Sequence, residues 1–317
     1  MEKLELKDRK ILYELDIDSR RSFRSIGRKV GLSKDVVTSR VKKLQEMGII
    51  KRFYAYYDIL KLGLNILRFY FKFQYVTPEI KKEIIDHFMN EKHIDALFSC
   101  EGSYNLGVVT YVEKISDIYP FWKKTLEKYG DYFSEHVFSA YMGETIYGYE
   151  FLLDGIVKPE RIPLKSILGK VTIDNFDLEI LKLLSSNARM PTLEIAKRLN
   201  SNVTTIHSRI KRLIDLKVIL GFKVELDLEK IGYQHWKVDF YISEYNKINQ
   251  IIKYIEKNPL LVCVDYTIGY ADLELEMNVR NINQLHDIIE DLQSKYPKII
   301  RNYTYFRVIN FFKWFEI

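Results

Sequence analysis

The sequence predicts an α+β fold, in which two helical segments alternate with two segments of mixed strands and helices. Residues 8–53 and 177–222 align at a constant offset of 169 without a gap. A repeat of this length exceeds the periods of stacked solenoids, so it indicates a duplicated pair of domains. Within each copy, apolar residues first recur at helical spacing and then alternate as they do along a strand. The identical aligned positions include Asp8/Asp177, Ile11/Ile180, Leu15/Leu184, Arg20/Arg189, Ile26/Ile195, Ser39/Ser208, Arg40/Arg209, Lys42/Lys211, Leu44/Leu213 and Phe53/Phe222.

The charge of the chain follows the same division. The net charge is +6, but residues 1–57 carry +7 and residues 170–223 carry +5, whereas residues 58–153 and 224–317 carry −4 and −3. A polyanion is therefore attracted to the two helical segments and weakly repelled by the segments that follow them.

Each helical segment, called a head below, is predicted to form three short helices. In the first head Asp8 caps one helix, Ser22 opens a second, and Gly31 ends the second in a left-handed turn. Two helices joined by such a tight turn form a helix-turn-helix. In the second head Asn200 replaces the glycine, and asparagine adopts the left-handed conformation less easily. A short strand is expected at residues 49–56.

The third helix of each head has a polar face opposite its apolar one. In the first head Val37, Val41 and Leu44 recur at i, i+4 and i+7, so they are expected to face the core. The opposite face combines cations for phosphates with short polar groups for base edges. The alternative is an ordinary solvated face on a domain that binds protein. The residues predicted to contact double-stranded DNA are Lys34, Thr38, Ser39, Arg40, Lys42 and Lys43 in the first head, and Thr204, Thr205, His207, Ser208, Arg209, Lys211 and Arg212 in the second.

The segment after each head, called a tail below, predicts the element order βαββαβ, which is the ferredoxin-like layout. Strands with alternating apolar residues are expected at 66–76 and 235–243, and closing strands near 133–151 and 300–315. Such a sheet leaves one face without helices, and that face is usually buried against a second sheet. We expect the apolar open faces to pair, either within one chain or between two chains.

Both halves of the chain resemble the Lrp/AsnC family of transcription regulators. The resemblance rests on LKDRKILYEL, GLSKDVVTSRVKKLQEMGIIKRF and DILKLG, and on the βαββαβ tail with GSYNL or GYADL between its middle strands. It implies a winged helix-turn-helix that reads DNA, joined to a domain that binds an effector and forms assemblies, at least dimers. The domains expected are 1–57 (winged helix-turn-helix), 58–153 (ferredoxin-like), 154–171 (linker), 172–223 (second winged helix-turn-helix) and 224–317 (second ferredoxin-like).

The resemblance also implies a site for a small effector, often an amino acid, near the GSYNL and GYADL loops. The residues it indicates are Gly102, Tyr104 and Asn105 in the first loop, and Gly269 and Asp272 in the second. Asn105 replaces the family's usual Asp, which removes a charge suited to holding an ammonium group. The alternative for both loops is a plain turn between strands.

Two other functions remain open at the level of sequence. The first is an architectural protein that coats DNA with little sequence preference. The second is an enzyme, because sirohaem decarboxylases combine the same heads and tails as two subunits, and YNLGVV (104–109) resembles a strand of that family. That enzyme needs cationic and imidazole groups around its substrate, whereas the stretch before Tyr104 is FSCEGS. We therefore predict a regulator and not an enzyme.

Composition narrows the class of protein further. No apolar run reaches the length of a membrane span, and the beginning MEKLELKDRK is unlike a signal peptide. The two cysteines, Cys100 and Cys263, lie in apolar stretches without metal-ligand spacing, so we expect buried, inert thiols. No catalytic residue, metal or cofactor is predicted, and the expected location is the cytoplasm.

Overall fold

The computed structural model of the protein describes residues 4–153, 164–165 and 169–314. Most of the linker expected at 154–171 lies outside these residues. The helices are α1 (Leu6–Ile17), α2 (Phe23–Val30), α3 (Lys34–Glu46), α4 (Pro78–Met89), α5 (Tyr119–Tyr129), α6 (Asn175–Ser186), α7 (Thr192–Arg198), α8 (Val203–Asp215), α9 (Ile248–Ile255) and α10 (Ile282–Lys295). The strands are β1 (Ile50–Tyr57), β2 (Asn65–Phe73), β3 (Ile94–Gly102), β4 (Leu106–Val112), β5 (Phe133–Ile146), β6 (Leu164–Lys165), β7 (Ile219–Leu226), β8 (Gln234–Ile242), β9 (Leu261–Ile268), β10 (Leu273–Val279) and β11 (Ile300–Lys313).

The three helices of each head form where the sequence predicts them. The Ser22 hydroxyl accepts a hydrogen bond from the Ser25 amide and caps α2, as expected for this residue type. Gly31 and Asn200 both take the left-handed conformation after the second helix of their heads, with φ of 68° and 48°. The asparagine therefore makes the same turn as the glycine. The expectation for Asp8 was wrong, because Glu5 occupies the cap position and Asp8 lies in the first turn of α1.

The two heads share a two-stranded ribbon. Each head ends in a strand, β1 in the first head and β7 in the second. The two strands pair in antiparallel orientation, with Phe53 opposite Val224 and Ala55 opposite Phe222. Val224 packs into the core of the first head, and Ala55 packs into the core of the second. Each head therefore needs a strand from the other to complete its core.

Two identical arginines of the repeat connect the heads at the ends of this ribbon. The Arg20 guanidinium donates to the backbone carbonyls of Ala188 and Met190 in the second head. The Arg189 guanidinium donates to the carbonyls of Ser19 and Arg21 in the first head. The contacts are reciprocal, so the two heads of one chain are related as the subunits of a dimer would be.

The tails have the ferredoxin-like layout in both halves, and together they form a closed ring of strands. The first tail has the order β5-β2-β4-β3 and the second has the order β11-β8-β10-β9. The tails join at both edges, because β3 pairs with β11 and β5 pairs with β9. The closing strands are shorter than expected, ending at Ile146 and Lys313. The expected pairing of the two sheets thus occurs within one chain.

The space inside the ring is only partly apolar, because buried charges lie beside a hydrophobic cluster that includes Tyr70, Phe98 and Phe306, and this corrects in part the expectation for the open faces. Arg68 of β2 and Lys237 of β8, equivalent positions of the repeat, both face inward and are almost fully buried. The Arg68 guanidinium lies 2.7 Å from Asp265 and 2.7 Å from Glu274. The Lys237 ammonium lies 2.7 Å and 2.6 Å from the same two carboxylates. Asp239 lies 3.7 Å from that ammonium. We call these five side chains the buried charge cluster.

Removing one cation from this cluster is expected to destabilise the whole chain. Arg68→Ala would leave two buried carboxylates with only Lys237 to neutralise them, and such a loss costs about 3–5 kcal/mol. The measurement is the free energy of unfolding by urea for the full chain. Arg301→Ala serves as the matched control, because that guanidinium is 62% exposed and its change should stay within about 0.5 kcal/mol. Equal effects of the two substitutions would contradict the assigned role.

Candidate nucleic-acid interface and the cavity between heads and tails

The third helices of the two heads, α3 and α8, present polar faces to solvent. Asn202 caps α8 through the Thr205 amide, and Ser33 caps α3 through the Val36 amide. The predicted core residues are buried in both helices. Of the predicted DNA contacts, the exposed ones are Lys34, Thr38, Ser39, Lys42 and Lys43 in α3, and Thr204, His207, Ser208, Lys211 and Arg212 in α8, while Arg40, Thr205 and Arg209 are partly buried.

The arginines of these helices are bound to carboxylates of their own heads. Arg40 lies 2.8 Å from Asp8. Its repeat equivalent Arg209 lies 3.2 Å from Asp177, and Arg212 lies 2.6 Å from that carboxylate. Hydrogen bonds to the carboxylates raise the pKa of both Arg40 and Arg209. These arginines connect the first and third helices. The lysines of the same faces are more exposed, and the ion pairs of Lys42 with Glu46 and of Lys211 with Asp215 lie at the surface within one helix, so the lysines are the better-placed cations for phosphates.

Two exposed valines on the same helices were not predicted as contacts. Val36 is 41% exposed in the first turn of α3, and Val203 is 44% exposed in the first turn of α8. An apolar side chain in the major groove can contact the methyl group of thymine. The phase of the core residues, which leaves both positions on the outer face, was the signal available in the sequence.

The two predicted effector loops lie where the halves of the chain meet. A Cβ atom at Gly102 would lie 2.7 Å from the backbone oxygen of Tyr305 in the other half. A Cβ atom at Gly269 would lie 3.4 Å from the backbone oxygen of Phe138. Both glycines have positive φ, 122° and 103°. The close approach of the halves therefore requires a glycine at position 102, whereas at position 269 it is the positive φ that favours glycine.

The polar side chains of these loops serve the turns themselves. The Asn105 side-chain oxygen accepts a hydrogen bond from the Phe73 amide at 2.8 Å. The Asp272 carboxylate accepts one from the Ile242 amide at 2.7 Å, so the two loops are equivalent despite the substitution. Tyr104 is buried, 2% exposed, between the two tails. An effector role for these residues stays a prediction.

A cavity of about 860 Å³ lies between the head ribbon and one end of the ring of strands. Its lining includes nine tyrosines, seven Asp or Glu and six Lys or Arg. Five of these six cations form ion pairs with carboxylates. Within the described residues the exception is Lys51, which is exposed. The pairs are Arg52–Glu225, Arg68–Asp265, Lys223–Asp16, Lys237–Asp265 and Arg307–Glu229.

On one wall of the cavity, Glu144 has no such cationic partner among the described residues. Glu144 of β5 lies 3.3 Å from the Cys263 thiol, and Cys263 lies 3.5 Å from Asp265. One potential ligand atom from each of these three residues lies within 4.8 Å of the others. Burial raises the pKa of Glu144 well above its ordinary value, and the nearby Asp265 and Glu276 carboxylates raise it further. The expectation that both thiols are buried is confirmed, but no pattern in the sequence indicates that Glu144, Cys263 and Asp265 lie together.

Comparisons with known proteins identify the family. An AsnC-type helix-turn-helix domain matches residues 5–45 and again residues 173–214. An uncharacterised HTH-type transcriptional regulator of Pyrococcus furiosus is 34% identical over 122 residues, which are 38% of this chain and 82% of that protein. The regulatory protein AsnC of Haemophilus influenzae is 30% identical over 118 residues, which are 37% of this chain and 79% of that protein. The chain belongs to the Lrp/AsnC family of HTH-type, DNA-binding transcriptional regulators and carries the family's DNA-binding domain twice.

A solved structure is similar over the whole chain. The siroheme decarboxylase NirDL superposes on this chain with a TM-score of 0.65. The match includes 98% of this chain and 93% of the NirDL chain. The identity is 14%, so this likeness concerns the fold alone. The regulator relatives and the two helix-turn-helix domains favour a protein that is not an enzyme, while the duplicated fold is shared with one. Among the described residues, no helix is long and apolar enough to cross a membrane.

The buried charge cluster predicts a pH dependence of stability. Burial and the nearby Glu274 raise the pKa of Asp239 to about 7, although Lys237 and Arg68 oppose the shift. In the unfolded chain the pKa of this carboxyl is about 3.9. The higher pKa in the folded chain therefore stabilises the fold fully below about pH 3.9, and this contribution is lost as the pH rises toward 7. Asp239→Asn should therefore raise the melting temperature by an amount that grows between about pH 4 and pH 7 and is constant above.

Thermal unfolding of the full chain across this range measures the difference between variant and wild type. Asp287→Asn, an exposed position on α10, is the control and should show no such trend. A gain for Asp239→Asn that is equal at pH 5 and pH 8 would contradict the assignment.

Proposed function

We propose that the chain is a sequence-specific DNA-binding regulator in which the two heads of one chain act as the pair that binds an operator. The observation that carries this proposal is the shared ribbon, because each head completes its core with a strand of the other. The heads therefore keep a fixed relation without a second chain. Operator binding by helix-turn-helix pairs depends on such a fixed spacing.

We also propose the limits of the domains, the location, the assembly and the effector response of the protein. We take 1–57, 58–153, 172–223 and 224–317 as the working domain limits, a cytoplasmic location, assembly into at least a dimer of chains, and a response to a small effector. Support for assembly comes from the family, since the resemblance to Lrp/AsnC regulators implies a domain that forms assemblies. Light scattering of the full chain at micromolar concentration measures the assembly.

Two alternatives have distinct consequences. An architectural protein would show nearly equal affinity for all duplexes, so the ratio of specific to non-specific affinity at physiological salt separates it from a regulator. A decarboxylase of the sirohaem type would need free cations for a polycarboxylated substrate. Five of the six cations lining the cavity are instead paired with carboxylates, which is the reason for proposing that the protein is not an enzyme.

DNA binding is expected to be electrostatic and to depend on the exposed lysines. Replacing Lys42 and Lys43 with alanine should weaken binding to all duplexes and reduce the slope of log affinity against log salt by about one unit per lost phosphate contact. Fluorescence anisotropy at several salt concentrations measures this slope. The control is the double alanine variant of Lys81 and Lys82, exposed on α4, which removes the same charge from a tail. Equal slopes for the two double variants would contradict the assignment.

Residues that contact base edges should affect which DNA sequence is preferred, whereas these lysines should affect the affinity for all duplexes. Substituting Thr38 or Ser39 should change which duplex is preferred, because short hydroxyl groups on the exposed face can reach base edges.

The preferred operator is expected to be asymmetric. The heads differ on the face that meets the groove, since Lys34 and Thr38 stand where Val203 and His207 stand in the second head. If both heads of one chain bind, the two half-sites differ in sequence and lie about one helical turn or a multiple apart. Footprinting of a His207/Lys211 double alanine variant should lose one half of the protected region. Arg212 is left intact because it binds Asp177 within the head. Symmetric loss of both halves would exclude an asymmetric operator.

A further inference from the structure

We propose that the cavity between the head ribbon and the ring of strands binds a small organic cation, an amine or a guanidine, whose charged end pairs with Glu144. Its volume, about 860 Å³, lies in the range of pockets for small molecules. Its residues come from both heads and both tails, so the cavity exists only because the two halves are joined.

The charge of the cavity selects the class of ligand. The acidic side chains outnumber the basic ones, and nearly all the basic ones are already paired. Within the described residues no lysine or arginine nitrogen lies within ion-pair distance of Glu144, while Asp265 is bound by two cations. Glu276 has the His235 imidazole at 3.5 Å. An added cation beside Glu144 would offset the repulsion from Asp265 and Glu276 and would favour the ionised Glu144 carboxylate, whose pKa is otherwise raised, whereas an anion would add to the repulsion.

The tyrosine rings that line the cavity also favour a cationic ligand. Cations are stabilised over the faces of tyrosine rings when they lie within about 6 Å of the ring centre. The chain itself uses the cavity in this way: the Arg68 guanidinium lies 5.5 Å from the Tyr141 ring, and the Lys223 ammonium lies 5.4 Å from the Tyr149 ring. A ligand with an amine and an apolar body would meet the same kind of surface.

A metal ion is the competing occupant. Glu144, Cys263 and Asp265 converge closely enough to bind one. Such an ion would fill only a corner of the cavity, and it would require the buried Cys263 thiol to lose its proton. Burial raises the pKa of that thiol, and the neighbouring carboxylates raise it further. An organic cation needs no thiolate, so it fits the whole cavity better.

The position of the cavity connects a ligand with the heads. Lys223 of the ribbon lines the cavity and binds the buried Asp16 of α1 at 2.7 Å. The Asp16 carboxylate also accepts a hydrogen bond from the Tyr149 amide at 2.9 Å. A cation placed beside this ribbon therefore acts on residues that position the first head. The effect on DNA, unlike the binding itself, rests on the proposed function.

The test titrates the full chain, without DNA, with putrescine, agmatine and spermidine at constant ionic strength. Calorimetry and the melting temperature report binding. We expect saturable binding of at least one amine, with a raised melting temperature. Glu144→Gln keeps the shape of the side chain and should weaken binding at least tenfold. Glu276→Gln is a second variant, and the matched control is Glu127→Gln, whose side chain is 65% exposed on α5 and should leave binding unchanged.

Four results would overturn the proposal. The first is that no amine binds, and the second is that Glu144→Gln leaves amine binding unchanged. The third is a Soret shift showing that uroporphyrin occupies the cavity in place of amines. The fourth is that only a metal ion binds. The last is detected with Co²⁺ as a thiolate charge-transfer band that disappears in Cys263→Ser. Operator affinity with and without the amine is measured separately. Binding of the amine to a chain without DNA affinity would leave the site intact and refute the proposed regulator instead.

Discussion

The ion pairs of Arg68 and Lys237 with Asp265 and Glu274 are the contacts on which the arrangement of the two halves depends. All four groups are buried between the tails, and the first half contributes only Arg68. Buried charges are costly to desolvate, so each must be matched by a partner of opposite sign at short distance. Because the first tail supplies a cation and the second supplies both carboxylates, neither tail could bury its charged face alone.

Duplication followed by divergence explains why this cluster has its composition. When the two halves are aligned on their GSYNL and GYADL loops, Phe98 and Gly107 of the first half correspond to Asp265 and Glu274 of the second. Each pair lies directly opposite across two strands. In the first half the Phe98 ring covers Gly107 so closely that a Cβ atom there would lie 2.3 Å from it. The first half therefore offers an aromatic ring where the second offers two charges, and the halves are complementary and not identical.

The heads keep the pair of arginines that connects them, whereas several exposed positions of their third helices differ. Arg20 and Arg189 are identical and make reciprocal contacts, because the ribbon keeps both heads in equivalent positions. The outer faces of α3 and α8 differ, so the pair presents two chemistries from one rigid unit. The cavity beneath the ribbon belongs to the same unit. The repeat does not share Cys263 and Asp265 of its wall, because the first half has Ala96 and Phe98 at those positions.

The amino-acid sequence by itself determined the repeat, the helices of the heads, the ferredoxin-like order of the tails and the exposed face of each recognition helix. Each of these follows from local periodicity, caps and turns, which are written in neighbouring residues. Tertiary structure alone decided which polar residues are buried. Arg68 alternates with phenylalanines as a solvent-facing residue would, and only the opposing tail makes it internal. Arg40 has the pattern of a phosphate contact, yet Asp8, 32 residues away, binds it. The ribbon, the closed ring and the acidic cavity depend on contacts between segments more than 100 residues apart, and no local pattern encodes such pairings.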